Sequence, residues 1–351
     1  MIVLGIETSC DETSAAVVDA TRTIRAHIVA TQLEEHQRYG GVVPEIGARA
    51  HLEKLPQIVS ETLRQANLGL EDIDGIAATA GPGLIGGLIV GVVFAKSLAL
   101  VHKKPFLAVN HLAAHGLTPR LSDNVEFPYL LLLVSGGHCQ LIVVKSPLHF
   151  QVLGSTMDDA AGECFDKTAR LLNLPYPGAP RLEAVARQGD AERFRFPRPL
   201  LHHPDPNLKC SFSFSGLKTA VRQSVSQIDQ LSAQDISDVA ASFQAAVADI
   251  LASRTSNALA VCKELQQPLT AVVVAGGVAA NQYLRGRLQA VSEAHGLPFV
   301  APPLNLCTDN GAMIAWAGLE KLRLGADDPL DFRATPRWPL QDLQLPGTVR
   351  N

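Results

Sequence analysis

Short apolar runs bounded by Gly, Pro, Asp and Asn recur along the chain and alternate with stretches whose apolar positions return every three or four residues. The first pattern predicts strands over residues 2–7, 13–19, 24–31, 75–80 and 106–109, and again over 129–134, 138–145, 150–153, 271–275 and 299–301. The second predicts helices over 45–67, 84–101 and from 110 onward, and later over 159–172, 281–295 and 310–324. A long helical region opens at the capping box Ser232-Ala233-Gln234-Asp235 and sets Ile236, Val239, Phe243, Val247 and Ile250 on one face. Pro56 is expected to bend the first long helix. Residues 34–39 read as a polar loop, and the Pro- and Arg-rich stretch 175–215 as an irregular insertion too long for an ordinary connection.

The order βββ-α-β-α-β-α therefore occurs twice, with a boundary near 125–128. It predicts an N-terminal lobe over 1–125, a C-terminal lobe over 126–326 carrying the insertion, and an extended Pro-rich tail over 327–351. Each half opens with a hairpin whose turn is small and polar, Thr8 to Glu12 in one and Ser135-Gly136-Gly137 in the other. Such a duplicated α/β chain resembles the sugar kinase, actin and heat-shock ATPase architecture, two lobes around a nucleotide cleft whose turns cradle phosphates with backbone N–H groups. Glycines in a hairpin turn also serve simply to allow φ > 0; their matched positions in two halves favour the nucleotide reading.

Composition narrows the class. With 351 residues, 47% hydrophobic and 18% charged, the chain can bury large cores and is not disordered. A net charge of −4 excludes a sequence-independent nucleic-acid binder, so any RNA must meet a local basic patch or a partner. The densest basic stretch is Arg181, Arg187, Arg193, Arg195, Arg198 and Lys209, with His202 and His203 nearby, interrupted by Glu183, Asp190 and Glu192. Six cysteines without a C-x-x-C pair suit a reducing cytosol. The uncharged run 76–95 is long enough for a membrane span, but Gly81-Pro82-Gly83 divides it into strand, turn and helix, so no membrane association is expected. Gly81 to Gly86 matches G-x-G-x-x-G, yet no acid follows until Glu126 to hold a ribose.

Candidate chemistry concentrates in a few places. His111 and His115 stand four residues apart after a short buried strand, on one helix face, where they can grip one metal ion; the spacing alone equally suits a surface or capping pair. Leu112 occupies the position of the zinc-protease Glu, which argues against a metalloprotease. Asp309, at the start of the last helix, either completes a His-His-Asp set or caps that helix. Val134-Ser135-Gly136-Gly137-His138 offers consecutive N–H groups, a hydroxyl and an imidazole to an anionic group. Asp166 can accept from ribose hydroxyls or form a surface pair with its neighbours, and Asn281 can meet a ligand edge or cap a helix.

Taken together, Gly5-Ile6-Glu7-Thr8-Ser9-Cys10-Asp11-Glu12-Thr13, Tyr39 to Glu45, Gly81-Pro82-Gly83, His111 to His115, Ser135 to His138, Ser213 to Lys218 and Cys307 to Ala312 resemble the TsaD family. The resemblance covers nearly the whole chain up to about Leu324. It implies transfer of a threonylcarbamoyl group from threonylcarbamoyl-adenylate to the exocyclic amine of adenosine at tRNA position 37, in tRNAs reading codons that begin with A. It further implies His111, His115 and Asp309 as ligands of one divalent metal, Fe(2+) as the usual assignment with Zn(2+) an alternative, and Val134 to His138, Asp166, Ala179, Glu183 and Asn281 as substrate-binding positions. Ala179 and Glu183 depart from the family's usual Gly and Asp; a backbone contact at 179 tolerates Ala, whereas Glu183 adds a methylene to a ribose contact. Partners expected from the resemblance are tRNA, a TsaB-type paralogue docked on helices of the first half and a TsaE-type ATPase, in the cytoplasm.

The implied reaction pairs a good leaving group, AMP, with a poor nucleophile, so position and electrophilic assistance matter most. Asp11 or Glu12 is the candidate acceptor of the amine proton. The competing classes are a sugar-kinase-like ATPase or phosphotransferase, for which a His-His-Asp set is unsuited, and a non-catalytic nucleotide-binding subunit of the same complex, which has no need of all three ligands.

Overall fold

In a computed structural model, which describes residues 1–37, 39 and 41–343, the chain divides into two units. The first comprises Met1–Asn124, Lys145–Phe150 and Pro302–Asn351 as far as they are described. It contains β1 (Ile2–Glu7), β2 (Glu12–Asp19), β3 (Ile24–Thr31), α1 (Leu33–Gln37), α2 (Pro44–Ala66), β4 (Gly75–Gly81), α3 (Ile85–His102), β5 (Phe106–Asn110) and α4 (His111–Ser122). The second, Val125–Val144 and Gln151–Ala301, is built on β6 (Tyr129–Val134), β7 (Cys139–Ser146), β8 (His149–Ser155), α5 (Ala161–Leu171), α6 (Gly178–Ala186), α7 (Ser215–Ser226), α8 (Ala233–Glu264), β9 (Val272–Ala275), α9 (Gln282–Ala294) and β10 (Phe299–Val300). Then α10 (Leu304–Cys307) and α11 (Gly311–Arg323) return to the first unit.

The predicted duplication is visible in the sheets, ordered β3-β2-β1-β4-β5 and β10-β9-β6-β7-β8. Each has an antiparallel meander of three strands, and its first strand pairs in parallel with the fourth. Alternation along β1 layers the first unit, because successive strand residues point to opposite faces. Leu4 and Ile6 join Leu55, Ile58 and Val59 of α2 and Val92, Ala95 and Ala99 of α3 in one core. Gly5 turns the other way, toward α11. A Cβ on Gly5 would lie 2.2 Å from the Ala315 amide nitrogen and 2.4 Å from the Gly311 carbonyl oxygen, so helix and strand touch backbone to backbone. Gly311 is reciprocally close, its Cβ position 2.7 Å from backbone atoms of Ala15 and Ala16.

Several features differ from the sequence reading. Residues 34–39, expected as a polar loop, are largely helix α1; it is held by tertiary polar contacts, with the buried His36 ring 3.2 Å from Gln32 and accepting from the Val43 amide at 3.3 Å. Glu12 opens β2 instead of ending the turn. The insertion contains α6, and a separate helix α7 precedes the long α8. The last helix, counted by sequence with the second half, packs on the first sheet, where the two glycines admit it. The tail is not free either: Asp328 bridges Phe106, the Thr335 amide donates to Ala80 O at 2.7 Å and Asn110 Nδ2 donates to Trp338 O at 2.9 Å. Gly40 of the Tyr39 to Glu45 motif, and residues 344–351 of the predicted tail, lie outside the described residues. Among the described residues α3 and α8 are long and apolar enough to cross a membrane; α8 is mostly buried in its unit, and α3 packs three residues into the core named above.

Because Gly5 has no space for a methyl group, Gly5→Ala should destabilise the protein by about 1–3 kcal/mol through overpacking and displace the segment that precedes α11. Thermal unfolding of the purified variant checks this, and an unchanged midpoint would show that the helix is free to slide.

Candidate metal centre and anion-binding turns

Asn110 ends β5 and caps α4, its side chain accepting from the amides of Leu112 and Ala113 at 3.0 and 3.1 Å. That cap starts the helix at His111 and fixes the direction of both imidazoles. Across from them the chain enters α11. Asn310 caps that helix through the Met313 amide at 3.0 Å, and the Gly311 amide donates to Ser14 Oγ at 2.8 Å. Asp309 is thereby presented to the histidines, its Oδ1 3.0 Å from His115 Nε2 and 3.4 Å from His111 Nε2. The rings meet edge to face with centroids 4.7 Å apart. His115 is 1% exposed, whereas the Asp309 side chain keeps 23% of its surface open.

Behind His111 stands a group that sequence reasoning missed. Glu7, fully buried at the end of β1, places Oε2 3.2 Å from His111 Nδ1; it also accepts from the Ser9 amide at 2.5 Å and from the Thr79 hydroxyl. Ser9 Oγ lies 3.2 Å from the same ring nitrogen. Burial alone would raise the Glu7 pKa, but His111 beside it holds the carboxyl below the usual range. The ring in turn titrates well above its ordinary range, since Asp309 and Glu7 outweigh the opposing effect of burial. Asp309 is held low by His111 and His115 against its own desolvation. Glu12 responds in the opposite sense: burial, then Asp309 and Asp11, push its pKa up to about 10, so near neutral pH it carries a proton. In sequence it stood only as the last acid of a polar turn.

The donor set fits a transition-metal cation. Two imidazoles and a carboxylate present ligand atoms within 4.8 Å of one another, the composition expected of a site for zinc or iron that keeps a position open. Glu7, at His111 Nδ1, is the carboxylate that orients the ring behind the would-be ligand nitrogen. The surrounding acids, one of them driven to hold a proton, mark an excess of negative charge that a divalent cation would relieve.

In the second unit, Val134 ends β6 and the turn after it closes on itself: the Ser135 amide donates to His138 O at 2.8 Å, and the His138 amide to Ser135 Oγ at 3.1 Å. Gly136 and Gly137 are exposed, and a Cβ on Gly137 would meet open space. The N-terminus of α5 abuts the turn through the Gly162 amide, which donates to Ser135 O at 3.2 Å. Asp166 accepts from the Ala179 amide at 3.1 Å, at the start of α6, and burial raises its pKa. The Ala179 amide is thus already engaged by Asp166 through the backbone, a contact that Ala and Gly make alike. Glu183 accepts from the Gln282 amide at 3.0 Å, at the start of α9. Asn281 is the cap of α9, accepting from Leu284 N at 3.0 Å and donating to Gln244 Oε1 at 2.8 Å. The structure therefore gathers these positions at helix N-termini of one unit, with Asn281 committed at both ends of its amide. In the insertion Arg193 pairs with Asp235 and Asp238 at 2.5 and 2.6 Å, Arg198 with Asp249 at 2.9 Å and Arg187 with Glu183 at 3.4 Å, while Arg181 and Arg195 are exposed.

Two five-stranded sheets of one topology, with helices, place the chain in the actin, sugar-kinase and heat-shock ATPase fold class. Full-length HypF in its phosphate- and nucleotide-bound form shares this fold at 12% identity and a TM-score of 0.59, over 92% of this chain and 46% of that one. So does the activator of 2-hydroxyisocaproyl-CoA dehydratase from Clostridium difficile, at 13% identity and 0.53, over 93% and 97%. Within that class the TsaD family, described as tRNA N6-adenosine threonylcarbamoyltransferase, matches residues 23–316. The protein of that name from Methylobacterium sp. (strain 4-46) is 56% identical over 346 residues, 97% of this chain and 98% of that protein. Its namesake from Brucella suis is 54% identical over 358 residues, covering 100% and 99%. The chain belongs to the TsaD family and is a transferase of this class.

Glu7→Gln should preserve the fold while weakening metal affinity by about 10–100-fold, the usual effect of losing an outer-shell carboxylate, and Asp309→Ala should abolish retention altogether. Metal analysis after gel filtration decides it; full occupancy in both variants would exclude the site as drawn.

Gly137→Val, placed where a side chain meets only solvent, should leave the melting temperature nearly unchanged and weaken AMP binding at least tenfold if the turn's amides approach phosphate. Calorimetry and thermal unfolding on one preparation separate this from a purely structural glycine, which would show the reverse.

Proposed function

We propose that the protein transfers the threonylcarbamoyl group of threonylcarbamoyl-adenylate to N6 of adenosine 37 in tRNA, releasing AMP. The observation that carries this reading is the convergence of His111, His115 and Asp309, backed by Glu7, in a chain of this family. In the reaction a bond forms between N6 and the carbamoyl carbon, the bond from that carbon to the phosphate oxygen breaks, and N6 loses a proton. The adenine amine is weakly nucleophilic, so the barrier falls chiefly through positioning and stabilisation of developing charge.

The residues divide the work. Amides of the Ser135 to His138 turn, at the head of α5, are suited to the phosphate, and Asp166 and Glu183 to the ribose, each exchanging an amide partner it now holds for a hydroxyl. Asn281 would reach the base edge only by giving up its Gln244 or Leu284 partner. His111, His115 and Asp309 would hold the cation, Fe(2+) with Zn(2+) as the alternative occupant. When bound it would supply Lewis acidity to an oxygen of the donor. Glu7 keeps the His111 ring oriented through Nδ1. Asp11 or Glu12 accepts the proton from N6; for Glu12 this requires that the negative charge around it first be compensated, since its pKa stands at about 10 without compensation.

The exposed apolar residues Ile85, Ile89, Val93, Leu100 and Val101 of α3, with Leu52 of α2, support docking of a TsaB-type paralogue on the first unit. A TsaE-type ATPase and a cytoplasmic setting complete the proposal. The test is incubation of the protein and these partners with threonylcarbamoyl-adenylate and unmodified tRNA, followed by nucleoside analysis. Threonylcarbamoyladenosine is expected with the unaltered chain and a reduction of at least about a hundredfold with His115→Ala, in line with loss of metal assistance. Product at an undiminished rate from that variant would remove the metal from the mechanism.

A further inference from the structure

His51, on α2, is wholly buried and stands outside the metal set. Its Nε2 lies 3.1 Å from the Cys10 carbonyl oxygen, and its Nδ1 meets Thr13 Oγ1 at 2.8 Å and Gln32 Nε2 at 3.1 Å. A carbonyl oxygen only accepts and an amide nitrogen only donates, so both ends of the ring require the same tautomer. The proton sits on Nε2 and is given to Cys10. The Gln32 amide is oriented in its turn, because its Oε1 lies 3.2 Å from His36 Nε2 while His36 Nδ1 accepts from the Val43 amide at 3.3 Å. Burial lowers the His51 pKa, which keeps the ring neutral near pH 7. The backbone of α3 also closes on it: a Cβ on Gly87 would lie 3.2 Å from ring atoms Cδ2 and Nε2.

What the ring holds is the turn between β1 and β2. Successive carbonyls of that turn are bound by separate elements: Ser9 O accepts from the Leu84 amide at 2.8 Å, Cys10 O from His51, and Asp11 O from the Gln32 amide at 3.0 Å. Only the middle anchor is a side chain. The peptide between Cys10 and Asp11 is a rigid plane, so fixing its oxygen fixes the direction in which Asp11, and Glu12 after it, leave the turn. That direction matters because the turn stands beside the metal centre, close enough for the Asp309 charge to act on Glu12. We propose that His51 is a positioning residue for the transfer: its Nε2–H fixes the Cys10–Asp11 peptide and thereby aims the carboxyl groups of Asp11 and Glu12 at the amine that gives up its proton. This rests on the transfer reaction proposed above, and it adds to that reaction a buried residue that touches no reacting atom.

The experiment uses the full chain with its partners, threonylcarbamoyl-adenylate and unmodified tRNA. A Gln amide nitrogen can take the place of Nε2 and still donate to Cys10, whereas an Asn amide reaches only the place of Nδ1. His51→Asn should therefore lower kcat by about 10–100-fold, the effect of a misplaced catalytic group, with KM for tRNA, AMP affinity and metal content unchanged. His51→Gln should recover most of the rate. In the unaltered chain, 15N spectra of the histidine rings, assigned against His51→Gln, should show a protonated Nε2 and a bare Nδ1 for His51. Unchanged kcat in His51→Asn overturns the proposal. So does an equal loss in both variants together with a lowered melting temperature and lost metal, the outcome for a purely structural histidine. If neither variant folds, the ring-nitrogen spectrum decides, since a proton on Nδ1 excludes the Cys10 contact. Absence of threonylcarbamoyladenosine from the unaltered chain removes the proposed reaction and the positioning role with it, whereas product from that chain with unchanged kcat in His51→Asn removes the positioning role alone.

Discussion

The approach of α11 to the first sheet is the contact on which the rest depends. Helices ordinarily pack on sheets through side chains, but here Gly5 and Gly311 remove them and backbone meets backbone, with the Gly311 amide bonded to Ser14 Oγ. The closeness does more than fill space. Asp309 lies two residues before that contact, so its carboxylate is delivered to two histidines that precede it by almost two hundred positions. Any thickening of the interface moves the carboxylate, and no local sequence change near the histidines could compensate.

What is delivered is an electrostatic problem with a chemical use. Glu7, Glu12 and Asp309 are drawn into a poorly solvated region where like charges cannot all persist. The protein answers with hydrogen bonds at Glu7, imidazoles at Asp309 and a retained proton at Glu12. Each acid would shift toward the ionised carboxylate when positive charge enters.

Much of this was legible in sequence. Strands 2–7, 24–31 and 129–134 fall at the predicted residues because alternation and turn residues agree there. The His pair and Asp309 were legible through spacing and family resemblance together; neither sufficed alone. Helix α6 was hidden because Gly178-Ala179-Pro180 resembles a loop, although Pro is tolerated in a first helical turn. Helix α1 was hidden because its sequence is polar and the His36 contacts with Gln32 and Val43 that accompany it are not readable from a local pattern. Glu7 escaped notice for another reason: an acid closing an apolar strand looks solvated until the partners that surround it, Thr79 and His111, are brought in from distant positions. The destination of α11 was likewise a tertiary fact, since nothing in a helix's own pattern tells which of two similar sheets will receive it.

The return of the chain's end to its beginning has a consequence for synthesis. Asn110, whose side chain starts the helix of the two histidines, is itself fastened to the carbonyl of Trp338, and Thr335 is bonded to β4. A ribosome delivers residues in order, and the early half can form its meander and its histidine helix long before the last helix exists. The three-ligand set cannot close on a nascent chain until residue 309 has emerged, and its helix cap is not secured until some thirty residues later. A cation that needs all three ligands would therefore find them together only late in synthesis, after both halves of the first sheet's surroundings have been made.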